Sequence, residues 1–362
     1  MAQAERLPVA RARPRRSATG PGWAWGLGAA AFLVGAIATG LLVGPVDLGA
    51  GAIGRELLSH VPFLGVRSHL SPDESAILWQ LRAPRVALGV LVGAMLASAG
   101  ATYQGVFRNP LADPYLLGVA AGAGLGATLA IAYGGGTAFT GDLLPLAAFA
   151  GGGVAVALTY VVGRSAGAGR GGGAAFVLAG VTVTSFFTAV QTFFQQRHAD
   201  TLQAVYSWIL GRLDTAGWHD VVLLLPYAGC SLTALLLHRR LLDVLSLGDD
   251  EAAALGVSVG RLRLVLVVAA TLGTAAAVAV SGLIGFLGVI VPHTVRLLAG
   301  GSYRLVLPLS MLVGGGFLVF ADVIARTAIA PGQLPIGVVT AFFGAPFFVL
   351  VLRSSRRMGT TA

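Results

Sequence analysis

The stretch Leu247-Gly-Asp-Asp-Glu-Ala-Ala-Ala-Leu-Gly-Val-Ser-Val-Gly-Arg-Leu-Arg263 is a polar interruption in a chain otherwise built from long apolar segments. It is too short and too polar to cross a bilayer, yet its residues follow the order of a structured loop. Asp249, Asp250 and Glu251 stand at the start of a short helix, where negative charge offsets the positive end of the macrodipole. Gly256 can end that helix in the left-handed conformation, and Ser258 can cap a second short turn. An ordinary solvated connector is the common alternative for such a loop. Two small helices presented to water would instead offer a rigid surface to a soluble partner, and the surrounding sequence decides between the two.

That sequence belongs in a membrane. Mean hydropathy is +0.82, hydrophobic residues make up 56% and charged residues 11%, against about 25% charged in soluble domains. All 24 basic residues are arginine. Without a lysine there is no Walker A loop, whose lysine reaches the phosphates, and no amine to form a Schiff base. The chain is therefore not expected to hydrolyse ATP by itself. The single Cys230 precludes an internal disulfide and a thiolate metal site, and the six histidines show no HExxH or paired spacing. A net charge of +9 raises the question of which membrane side the arginines occupy before it raises nucleic acid.

A spanning helix needs about 20 mostly apolar residues. Candidates are 23–44, 84–105, 114–133, 143–163, 174–195, 219–238, 263–282, 285–299, 305–326 and 336–352, ten in all. The segment 285–299 is short and carries Pro292, His293 and Arg296, so it needs shielding from lipid by neighbouring helices. An even count puts both termini on one side. Arg55, Arg67, Arg82, Arg85, Arg197, Arg212 and Arg326 fall on the outer side and the remaining arginines on the inner, including the basic head (1–22) and tail (353–362). The positive-inside rule then makes both termini cytoplasmic. The first apolar segment is longer than a signal-peptide core and lacks a cleavage pattern, which reads as a retained span. Gly89-x-x-x-Gly93 and Gly118-x-x-x-Gly122-x-x-x-Gly126 let backbones approach closely in a tightly packed bundle.

Four stretches line up along the chain. Leu78-Trp-Gln-Leu-Arg-Ala-Pro-Arg85 precedes the second span. Arg108-Asn-Pro-Leu-Ala-Asp-Pro-Tyr-Leu-Leu-Gly118 joins spans two and three. The loop 247–263 is the third. The fourth runs from Gly282-Leu-Ile-Gly-Phe-Leu-Gly-Val-Ile-Val-Pro-His293 through Ala321-Asp-Val-Ile-Ala-Arg326 to Leu334-Pro-Ile-Gly-Val-Val-Thr-Ala-Phe-Phe-Gly-Ala-Pro346. In this order and spacing they resemble the FecCD/BtuC-type permeases, the membrane subunits of bacterial ABC importers for iron-siderophores, haem and vitamin B12. The resemblance covers nearly all of the chain beyond about residue 75.

The resemblance implies an all-α polytopic bundle of about ten spans, the type II importer fold, with the permease domain over 23–352. It implies that 247–263 forms coupling helices docking on a separate ATPase, through Asp249, Asp250, Glu251, Leu255, Gly256, Arg261 and Arg263. No cofactor is expected on this chain; ATP and magnesium belong to the ATPase. Two ATPase subunits, a second permease copy and a periplasmic or lipid-anchored binding protein are the expected partners, in the bacterial inner membrane and without nucleic acid.

Asn109 and Leu111 match positions near the family's cytoplasmic gate. Pro110 and Pro114 also make this stretch a rigid turn. The matching half before span five is hydroxyl-bearing in well-known members but reads Gly171-Gly-Gly-Ala-Ala175 here. Arg82, Arg85 and Arg326 match positions that meet acidic residues of the binding protein, a task suited to a guanidinium; arginines snorkelling to the interface are the alternative. Asp322 and His293 are expected to satisfy neighbours within the bundle, and Phe186, Phe187, Phe193 and Phe194 to pack, with lining of a pathway as the alternative for the four aromatics. An ion-coupled secondary transporter is the competing function. It would want acids near mid-membrane, whereas Asp113 and Asp322 map toward span ends. The cargo is expected to be an iron chelate, haem or cobalamin, with iron chelates preferred.

Overall fold

The computed structural model describes residues 22–61, 66–134, 142–165, 173–213 and 217–359. Most of the basic head, Arg170 and the first residues of the Gly171–Ala175 stretch lie outside the described residues. The described residues form helices and connecting turns. In chain order the helices are α1 (Gly22–Leu42), α2 (Ala50–Ser59), α3 (Pro72–Ala76), α4 (Ala83–Val106), α5 (Val119–Tyr133), α6 (Leu143–Ser165) and α7 (Gly173–Arg197). There follow α8 (Leu202–Ile209), α9 (Trp218–Leu245), α10 (Asp249–Ala254), α11 (Val259–Ser281), α12 (Leu287–Ala299), α13 (Tyr303–Thr327) and α14 (Ile336–Gly359).

Seven helical runs among the described residues are long and apolar enough to cross a membrane, and three shorter apolar helices, Val119–Tyr133, Leu287–Ala299 and Ile336–Val351, occupy the other expected positions. The second span begins earlier than hydropathy suggested. Ser71 accepts a bond from the Glu74 N–H at 3.3 Å while its own N–H donates to Glu74 at 2.8 Å. With Pro72 in the first turn, this capping box starts a helix that continues through a π-helical turn over Ile77–Arg82 into α4.

α5 and α12 are short because the segments before them are irregular and packed inside the bundle. The Tyr115 hydroxyl donates to the Ile284 carbonyl at 3.0 Å and accepts from the Ile284 N–H at 3.0 Å. Gly288, in the first turn of α12, faces Pro114 so closely that a Cβ there would overlap the proline ring. One tyrosine thus ties the turn before α5 to the turn before α12, the kind of shielding that irregular backbone in a membrane protein requires.

The glycine spacing does the packing expected of it. A Cβ at Gly93 would overlap the Gly314 carbonyl of α13, and Cβ atoms at Gly122 and Gly126 would overlap the Gly151 and Ala147 carbonyls of α6. Gly118 departs from that pattern: it caps α5 with φ 84°. α4 lies at the centre, packed on α9, α11, α12 and α13.

The ends of the bundle differ. α1 starts beside Leu305 in the first turn of α13. α14 starts where Ile336 and Gly337 donate to the Gly211 and Leu210 carbonyls, and runs back toward His293 of α12, whose ring meets Phe347 at 5.8 Å. The start of α1 and the far end of α14 therefore share the end that carries α10. Of the four α7 phenylalanines expected to pack, Phe187 is buried, but Phe186 and Phe193 are exposed, which corrects the packing expectation for those two.

Candidate coupling and gate site

α10 is a single turn and a half with a glycine at each end. Gly248, at φ 150°, precedes it, and the Glu251 carboxylate folds back so closely over Gly248 that any Cβ would collide with it. At the other end Gly256 takes φ 80°. The Gly256 N–H donates to Ala253 at 2.9 Å and the Val257 N–H to Ala252 at 3.0 Å. These are the two bonds of a Schellman ending, which satisfies carbonyls left over at a helix terminus. Ala252 faces the core, while Asp250, Glu251 and Leu255 face outward. Leu247 and Leu255 are 62% and 64% exposed, so α10 is flanked by two apolar side chains that the described residues leave mostly uncovered.

The second coupling helix differs from expectation. Ser258 precedes α11 itself, without a side-chain capping bond, and Arg261 and Arg263 lie in the first turns of that spanning helix. The reason is continuity: Val259–Ser281 is helical throughout, so the second rigid element is the end of a span.

Beside α10 lies the turn after α4. α4 also ends in a Schellman arrangement, the Arg108 N–H donating to Gly105 at 3.3 Å and the Asn109 N–H to Gln104 at 3.1 Å. Here an arginine occupies the left-handed position, φ 50°, which for a residue with a Cβ costs roughly 1–2 kcal/mol. The Asn109 side chain accepts the Leu111 N–H at 2.9 Å, and the Asp113 side chain accepts the Tyr115 N–H at 2.8 Å. These local bonds make the loop a fixed shape. Leu111 stands at its tip, 42% exposed, with Asn109 exposed beside it.

Asp249 joins the two elements. Its carboxylate accepts two bonds from the Arg263 guanidinium, at 2.9 and 3.1 Å, and pairs with Arg108 at 3.4 Å. Behind Arg263 a cavity of about 330 Å³ separates the loop from α6 and α7, lined by Phe107, Leu117, Tyr160, Arg164 and Phe176. On the same end Asp243 receives the Ser302 hydroxyl at 2.9 Å and the Tyr303 N–H at 2.6 Å, fixing the start of α13. Arg296 of α12 donates to Gln104, whose amide donates to Gly288 at 3.1 Å. Sequence reading picked out Asp249, Arg263 and Asn109 separately; it missed Arg108, whose signal was only a basic residue at a helix end.

At the opposite end the three arginines expected to face a partner turn inward. Arg82 is 4% exposed and donates to the carbonyls of Leu41 at 2.9 Å, Leu42 at 3.1 Å, and Val46. It satisfies carbonyls at the end of α1, which have no helical partner. Arg326 is 3% exposed, donates to Gly40 at 2.6 Å and lies 3.5 Å from Asp322. Arg85 binds Asp322 at 2.8 Å and Gln333 at 2.9 Å. The docking expectation is corrected for Arg82 and Arg326 in this conformation, since buried guanidiniums present no surface. Asp322 satisfies neighbours, as expected.

Comparison with known proteins agrees with this geometry. The sequence model of the FecCD transport family matches residues 32–354. The cobalamin import system permease protein BtuC of Halobacterium salinarum is 42% identical over 278 residues, 76% of this chain and 73% of that protein. The iron(3+)-hydroxamate import system permease protein FhuB of Bacillus subtilis is 39% identical over 293 residues, 80% of this chain and 75% of that one. A solved structure described as an inward-facing, metal-chelate type ABC transporter superposes with a TM-score of 0.78 at 29% identity, covering 91% of this chain and 98% of its own.

Proposed function

Because the chain belongs to the FecCD transport family, we propose that it is the permease of an ATP-driven importer, with α10 as the seat of a separate ATPase subunit. The observation that carries this reading is the construction of α10, stopped at both ends by glycines and flanked by exposed Leu247 and Leu255. Such a short helix would gain nothing from rigidity as a free connector; as a lever it needs it. The end bearing α10 is then cytoplasmic, with the start of α1 and the far end of α14 on the same side, in the bacterial inner membrane.

The pathway is completed by a second copy of the permease. α7 buries one narrow stripe, Ala179, Gly180, Val183, Phe187 and Gln191, against the bundle. Its exposed surface mixes Thr182, Ser185 and Thr192 with large apolar residues. Each of these hydroxyls is bonded to its own helix, which makes the surface mildly polar and non-sticky, suited to the passage of a bulky solute. The cargo is an iron chelate, haem or cobalamin, with iron chelates preferred, delivered by a separate binding protein; the iron(3+)-hydroxamate and cobalamin permeases among the relatives support this reading. An ion-coupled mechanism is less favoured because Asp322 is held between Arg85 and Arg326 instead of standing free.

The test is co-purification. Replacing Leu247 and Leu255 together by Glu should abolish recovery of the ATPase with the tagged permease while leaving its yield and monodispersity unchanged. Full ATPase recovery with that variant would remove α10 as the docking seat. The small molecule that co-purifies with the cognate binding protein identifies the cargo.

A further inference from the structure

We infer that Asp249 is a clasp that carries movement of α10 directly to the loop bearing Asn109 and Leu111, through Arg108. This inference rests on the permease reading above and adds the residues that transmit the motion. One carboxylate accepts from Arg263, at the base of α11, and from Arg108, at the root of the loop. Arg108 and Leu111 are joined by the Asx turn of Asn109, so displacement of Arg108 displaces Leu111.

Three features argue that this is a working connection and not a surface ion pair formed by chance. Arg108 occupies a left-handed backbone position, φ 50°, where glycine would be favoured; a side chain kept there against local preference has a use for its position. The clasp joins the Schellman-closed end of α4 to the first residue of α10, a helix short enough to move as one piece and itself ended by Schellman bonds, so both sides are stiff and neither absorbs the motion. The cavity beside Arg263 and Phe107 leaves the loop room to shift without repacking a dense core. The Arg108 and Asp249 side chains are 43% and 27% exposed. A partly exposed pair of this kind adds little to stability, so its loss is not expected to unfold the protein.

Arg108→Gly is a decisive variant, since it removes the guanidinium and relieves the backbone at once. The experiment uses the full complex of permease and ATPase in lipid nanodiscs, in a Cys230→Ser background with Leu111→Cys carrying an environment-sensitive fluorophore. Adding ATP and magnesium to the parent complex should change the fluorescence. Arg108→Gly should keep ATPase recovery and hydrolysis within about two-fold while reducing that change at least five-fold; Asp249→Asn should reduce the fluorescence change to the same degree, and the double variant should lose no more of it than either single one. A full fluorescence response in Arg108→Gly, or multiplicative losses in the double variant, would overturn the clasp. A parent complex that hydrolyses ATP with a silent probe would also overturn it. Failure of the parent permease to bind any ATPase would instead overturn the permease reading, and the clasp with it.

Discussion

Arg85 and Asp322, 237 positions apart in sequence, meet at 2.7–2.8 Å and fasten α4 to α13 at the end of the bundle opposite α10. Asp322 is 2% exposed and is also 3.5 Å from Arg326. Removing one partner of a buried pair leaves an uncompensated charge and typically costs about 3–5 kcal/mol. Asp322→Ala should therefore lower the thermal midpoint of the detergent-solubilised protein markedly, whereas Arg55→Ala, an exposed arginine at the same end, should leave it nearly unchanged. Equal midpoints for the two variants would show that the cluster does not hold the helices.

The α5–α6 contact makes a steric prediction. Gly126 lies against the Ala147 carbonyl with no room for a Cβ. Gly126→Val should be inserted into the membrane but lose about 1–3 kcal/mol, the usual range for overpacking. Gly153, beside which a Cβ would meet nothing within 4 Å, should accept valine with little change. Proteolytic susceptibility of the folded protein distinguishes the two.

Glu56 gives a pH dependence. Its side chain accepts the Trp79 indole N–H at 2.9 Å and the Ser75 hydroxyl at 3.4 Å. The Ser68 hydroxyl, then Trp79, hold the carboxyl below its ordinary value. A depressed carboxyl contributes stability that is complete above the unfolded value of about 4.3 and is lost as pH falls through the lower, folded value. Glu56→Gln should thus be less stable than the parent at pH 7, with the gap closing in acid below about pH 4. A gap that stays constant down to pH 3 would contradict this.

Leu111 supplies a test of two-fold assembly. If two copies meet at the loop tips, Leu111→Cys in a Cys230→Ser background should form a disulfide-linked dimer in membranes. Leu237→Cys, 74% exposed on α9, should not. Linkage at both positions, or at neither, would argue against a gate between copies.

The spans and the acidic helix start at Asp249 were legible because each depends on a few consecutive residues: apolar length in one case, Asp-Asp-Glu followed five residues later by Gly256 in the other. The inward turn of Arg82 was not, since it depends on carbonyls at Leu41 and Leu42 of α1 and at Val46 in the turn that follows it. The same holds for Asp249. Its place at a helix start could be read locally, but its bond to Arg108 arises only when the ends of α4 and α10 are brought side by side. The early start of the second span was present in Ser71-Pro72-Asp73-Glu74 but hidden from a search for apolar length, because the capping turn is polar.

The central claim, that transport is powered by an ATPase seated on this chain, is tested most directly by uptake into proteoliposomes holding the permease and its ATPase. Radiolabelled ferric hydroxamate and cobalamin are each offered with the cognate binding protein, with ATP or with a proton or sodium gradient. The account predicts accumulation of one of them only with ATP and the ATPase, abolished when Leu247 and Leu255 are both changed to Glu. Accumulation driven by the ion gradient in vesicles lacking the ATPase would contradict it.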